Sequence, residues 1–164
     1  MDNNMYLYLL LSNLESYLIQ KRKYVEKLLN EDNLKIKDGM EILKSFENTL
    51  IKTNQILDTL NSLDEKADED LFKSVIILIS ESLAWILFTL PSLPEKLPFF
   101  KEEFLINNEN VLDIIGNNLI NLESFLNEPS EILFIKNSIK GNVSSILNVI
   151  TYLYKGLEKS LVLN

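Results

Sequence analysis

Glu81 stands inside the most apolar run of the chain. From Val75 to Leu90 the sequence reads Val-Ile-Ile-Leu-Ile-Ser-Glu-Ser-Leu-Ala-Trp-Ile-Leu-Phe-Thr-Leu. An ionised carboxylate in a core is costly to desolvate, so it needs a cationic partner or a raised pKa. In an apolar pocket it would be a proton-active or ligand-binding group. The plainer alternative is a narrow polar strip on this helix, with Lys73 or a lysine of a neighbouring helix close by. The expectation is a buried Glu81 paired with such a lysine.

The other acidic candidates are Asp64, Glu65, Asp68, Glu69 and Asp70. Carboxylates at this density could gather calcium or magnesium. The stretch lacks the glycine and the regular ligand positions of an EF-hand loop, and a solvated loop before a helix N-terminus accounts for it. The chain has no His, and no Cys either. Disulfides, zinc sites, cysteine nucleophiles, His-dependent triads and carboxylate-bridged di-metal bundles are therefore excluded. Serine and tyrosine are abundant, but no Gly-x-Ser-x-Gly or phosphate-binding glycine loop supports them. No catalytic residue, metal or cofactor is expected.

The segment from Leu90 to Phe104 holds more apolar side chains than a connection requires. Leu93, Leu97, Phe99, Phe100 and Phe104 either fold back to cap the bundle or form an exposed patch for a partner, such as an identical subunit.

Sixteen cations against 24 carboxylates leave a net charge of −8. Arg22 is the one arginine, and Lys21-Arg22-Lys23 is the one short basic run. Arginine supplies the bidentate contacts of nucleic-acid readers, so nucleic acid is not an expected partner. The first residues carry no positive region followed by a signal-peptide core, and a cytoplasmic location is expected.

The elements that must position these residues are helical. Leu and Ile dominate over Val and Thr, and no hairpin signal appears. Leu7, Leu11, Leu14, Leu18, Val25 and Leu28 predict a first helix over about 4–30. Ile36, Leu43, Leu50 and Leu57, joined by Met40, Phe46 and Leu60, predict a second over 36–62, with Gly39 a mild cost. A third runs from about 69 to 90 and is apolar nearly all round, which predicts burial on every side. Three of the four prolines lie in 91–100 and stop it at Leu90. A helical turn is expected at 99–105 and a fourth helix over 109–126. The final stretch from Ser130 carries Ile132, Ile135, Ile139, Val143, Ile146, Ile150, Leu153, Leu157 and Leu161, with Gly141-Asn142 placed to kink or split it.

The sequence thus predicts a single all-α domain over 1–164. It is a bundle of five to six helices with a central, nearly all-apolar helix at about 69–90. Its expected role is non-catalytic protein–protein contact, as a homodimer or as an inhibitor, immunity or accessory factor for a more basic protein. Two alternatives compete: lipid interaction through 75–90, and a small apolar ligand bound near Glu81. The 16-residue run falls short of the ~20 that span a bilayer, and it contains Glu81. A soluble core helix is the expectation.

Overall fold

The computed structural model describes residues 3–61, 69–97, 105–106, 109–110, 112–117, 120 and 132–163. The leucine periodicity of the N-terminal segment forms α1 (Asn3–Leu29), and Leu7, Leu11, Leu14, Leu18, Val25 and Leu28 are all buried. Its end is closed by the Asn30 N–H donating to the Glu26 carbonyl, and buried Leu34 anchors the connection that follows. Helix α2 (Ile36–Asn61) begins where the Lys35 N–H donates to the Asp38 carboxylate at 3.0 Å. That bond is one half of a capping box, and the carboxylate also suits the positive helix end.

Helix α2 buries a wider arc than its heptad leucines predict. Ile42 and Ile56 join Leu43, Phe46, Leu50, Leu57 and Leu60, and so do Ser45, Thr49 and Thr53. Each of these three hydroxyls donates to the carbonyl four residues back, at 3.0, 2.8 and 2.9 Å. Satisfied inside their own helix, they enter the core without stranding a polar group.

Helix α3 (Glu69–Thr89) is followed by a short α4 (Ser92–Lys96). Pro91 holds the N-cap position of α4 at φ −61°, which its ring already prefers. A two-residue antiparallel ribbon pairs β1 (Leu105–Ile106) with β2 (Glu109–Asn110), Leu105 opposite Asn110. Glu109 is therefore in an extended pair, and the helix expected from it is described at 112–117, here α5, and at residue 120. The turn expected at 99–105 lies outside the described residues apart from Leu105, which is extended. Helix α6 (Ile132–Leu163) runs unbroken through Gly141-Asn142. A helical glycine costs about 1 kcal/mol; Val143, Ile146, Ile150, Leu153 and Leu157 are buried along one stripe and outweigh it.

Side-chain pairs give the directions. Tyr24 donates to Glu41, and Lys52 lies over the Tyr17 ring at 5.2 Å, so α1 and α2 are antiparallel. Gly39 abuts Leu157, Lys44 lies over Tyr154, and Lys140 pairs with Asp58, so α2 and α6 are antiparallel too. Leu11 faces Leu78 and Val25 faces Trp85, which makes α3 parallel to α1. Helix α2 thus runs against α1, α3 and α6 and packs on all three, most extensively on α6.

The all-α bundle and its long apolar helix are as the sequence predicts, but the central place belongs to α2. Helix α3 buries Leu71, Phe72, Val75, Ile76, Ile79, Leu83 and Ile86, while Ile77, Glu81 and Phe88 stay exposed. Its composition is apolar on more sides than the bundle covers. By length and hydropathy the stretch Asp70–Lys96 could cross a membrane, and half of its most apolar window is buried among the other helices.

At the α1/α2 interface, burial raises the Tyr17 pKa above the usual 10.0, partly offset by nearby Asn48 and Ser45. Its hydroxyl is buried with neither neighbour in hydrogen-bonding geometry. Tyr17→Phe keeps the ring and removes the stranded group, so stability at neutral pH should hold or rise by up to about 1 kcal/mol. A raised folded pKa gives stability that is fully present below 10.0 and lost as pH climbs through the folded value. Urea midpoints measured at neutral pH and above 10 should therefore fall less in Tyr17→Phe than in the parent. An equal alkaline loss in both would assign that loss to other groups.

Candidate functional site

Glu81 is exposed, not buried, and the expected lysine partner is not what engages it. The Arg22 Nη2 donates to the Glu81 backbone carbonyl at 3.2 Å, from α1 across to α3. The carboxylate keeps its water, so the cost that called for a partner does not arise. Leu93 and Leu97 are buried and belong to the core, which withdraws them from the candidate patch. They fold back as a cap because α4 turns them inward. Phe99, Phe100 and Phe104 lie outside the described residues, as does the acidic stretch 64–68. Asp70 is exposed. The basic run disperses in the fold. Lys21 stacks between the rings of Tyr17 and Tyr24, Arg22 turns to α3, and Lys23 is exposed.

What the fold does assemble is a seam between the parallel helices α1 and α3. Its first half is an open groove of about 390 Å³ lined by Tyr8, Leu11, Ser12, Glu15, Ser74, Ile77, Leu78 and Glu81. The second half, about 480 Å³, runs between Arg22, Val25 and Glu26 on one side and Trp85, Phe88 and Lys96 on the other. Arg22 marks the boundary between the halves.

Large apolar side chains stand open to solvent along this seam. Tyr8 is 54% exposed, Ile19 53%, Ile77 51% and Phe88 78%. Helical spacing places Ile19 on the flank of Glu15 and Arg22, the same side as Tyr8. Trp85 is half-buried beneath, its ring edge-on to Phe46 of α2 at 5.0 Å and 83°. Charge is uneven along the length. Glu15 and Glu81 make the first half acidic, whereas Arg22 and Lys96 balance Glu26 and Glu95 in the second, with Lys23 beside them. Met5, Tyr6 and Leu9 are also exposed, around the first two turns of α1.

Two serines, a tyrosine and two exposed carboxylates in an open groove form no nucleophile–base pair. Among the described residues, no group of three or more potential ligands gathers that could hold a metal. The arrangement is suited to contact, with aromatic and aliphatic anchors beside an arginine. The sequence held a signal for part of it. Met5 to Leu11 is apolar at every position, more than one buried face can use.

No curated protein and no solved structure matches this chain. One family model does, over residues 7–164, and the chain belongs to the family it defines, whose description is "Uncharacterized protein".

Proposed function

We propose that this is a non-catalytic, acidic helical protein that works by protein–protein contact through the α1/α3 seam. The partner is a second copy or a more basic protein. The observation that carries the reading is the row of Tyr8, Ile19, Ile77 and Phe88, four large apolar side chains left open along one boundary between helices. Isolated exposed apolar residues are ordinary; four spaced along one helix boundary, with Trp85 and Arg22 between them, have the composition of a binding hot spot. A ligand enclosed beside Glu81 loses its premise, because Glu81 lies exposed on an open groove. A lipid-inserted α3 would have to give up the core contacts of Val75, Ile79, Leu83 and Ile86.

Photo-crosslinking tests the seam. A benzophenone side chain at position 77 or 88, in the full chain expressed in cells, should yield a discrete protein adduct. The same probe at Lys155, exposed on α6, should not. Adducts from position 155 alone, or from none of the three, would remove the seam as the contact surface.

A further inference from the structure

We infer that the occupant of the α1/α3 seam is a second copy of this chain, laid antiparallel about a two-fold axis that crosses the seam beside Ile19. The inference rests on the contact reading above and goes further by naming the partner and its orientation.

Because α1 and α3 are parallel, two copies that meet face to face with their helices aligned can do so in two symmetric ways. A two-fold along the helices sets each level of the seam against the same level of the other copy. Glu15 and Glu81 of both chains would then crowd together, four carboxylates around one shared groove. A two-fold across the helices instead sets the acidic half against the half that carries the cations.

The second arrangement has a register that satisfies both helices at once. On α1, Ile19 lies midway between Glu15 and Lys23, so an axis at Ile19 brings each glutamate opposite the other copy's lysine. On α3, Ile77 and Phe88 lie symmetrically about the Ser82–Leu83 bond, so an axis there brings each isoleucine onto the other copy's phenylalanine. These two midpoints fall at one level of the bundle. Leu11 and Glu15 face Leu78 and Glu81 below it, and Val25 faces Trp85 and Phe88 above it. The same operation carries the second copy's Glu81 to the level of Ala84, beside the guanidinium that Arg22 holds at its own chain's Glu81 carbonyl. The Arg22 Nε is buried without a hydrogen-bond partner in the single chain.

The absence of cysteine makes the geometry directly testable, since one introduced thiol is the only thiol. The full chain should sediment at twice its 19.0 kDa mass. Ile19→Cys should form a covalent dimer under mild oxidant, whereas Leu9→Cys, exposed on the outward side of α1, should not. Glu15→Lys and Lys23→Glu should each weaken the dimer by about tenfold, because a two-fold repeats every pair. The double variant should recover it. Both positions are exposed, so the folded monomer is not at stake. A chain that stays monomeric at its highest soluble concentration overturns the inference, and so does a dimer indifferent to both charge reversals. A monomer whose probes at 77 and 88 still capture a different protein would sink this inference and leave the contact reading standing. Probes that capture nothing would sink both.

Discussion

Phe46→Ala should destabilise the protein by about 3–5 kcal/mol, the largest single loss expected in the bundle. Phe46 is fully buried on α2, the helix that touches α1, α3 and α6, so the cavity left behind opens between several elements at once. Helices held by so many neighbours cannot close on the void without shifting their other contacts, which keeps the cavity term high. The ring also meets Trp85 edge-on, a contact worth roughly 0.5–1.5 kcal/mol beyond its area. Trp85 is the sole tryptophan, so denaturant titration followed by its fluorescence reads this interface directly. Phe46→Leu should fall between the parent and the alanine variant. A loss below about 1 kcal/mol for Phe46→Ala would mean that α2 and α3 do not pack through this pair.

Gly39→Val should cost about 2–3 kcal/mol. A Cβ at Gly39 would lie 2.8 Å from the Leu97 Cδ1 and 3.1 Å from the Leu157 Cδ1. Both leucines are buried, one beyond α4 and one on α6, so neither methyl has free space to retreat into. The glycine is there for close approach: the first turn of α2 fits under two leucines only without a side chain. Gly39→Ala should cost less, because a better helix former returns about 1 kcal/mol against the push. Neighbours in contact do not add independently. Pairing Gly39→Val with Leu97→Ala should therefore cost less than the two separate losses summed, as unfolding midpoints would show. A valine variant as stable as the parent would place Leu97 or Leu157 elsewhere.

The leucine spacing of α1 and the stripe of α6 from Val143 to Leu157 were legible because each of those stretches buries one face, although Leu161, on the same spacing, is exposed. Period alone locates such a face. It failed for α2, where three neighbours widen the buried arc to take in Ser45, Thr49 and Thr53. Small hydroxyls bonded within their own helix do not look like core in a sequence. It failed in the opposite sense for α3. Apolar composition predicted enclosure, yet the bundle covers one side and leaves Ile77, Glu81 and Phe88 outside. The seam was the least legible feature of all. Its halves come from segments some sixty residues apart, and whether Arg22 meets α3 is decided by how parallel helices line up.

The antiparallel setting of α2 against α6 has a consequence for how the core is completed in time. Helix α2 finds α1 across the short connection 30–35, but its broadest partner begins about seventy residues after it ends. Bringing chain ends together over that distance, while the stretch between is unstructured, costs about 2 kcal/mol more closure entropy than over six residues. The hairpin of α1 and α2 should therefore form early, with the side of α2 that carries Gly39, and Leu43, Leu50 and Leu57 at helical spacing from it, still open to water until α6 arrives. Until α6 is synthesised and docks, the emerging chain carries an adhesive stripe along its middle, and that interval is when it is most open to capture by a chaperone or by its neighbours on the same message.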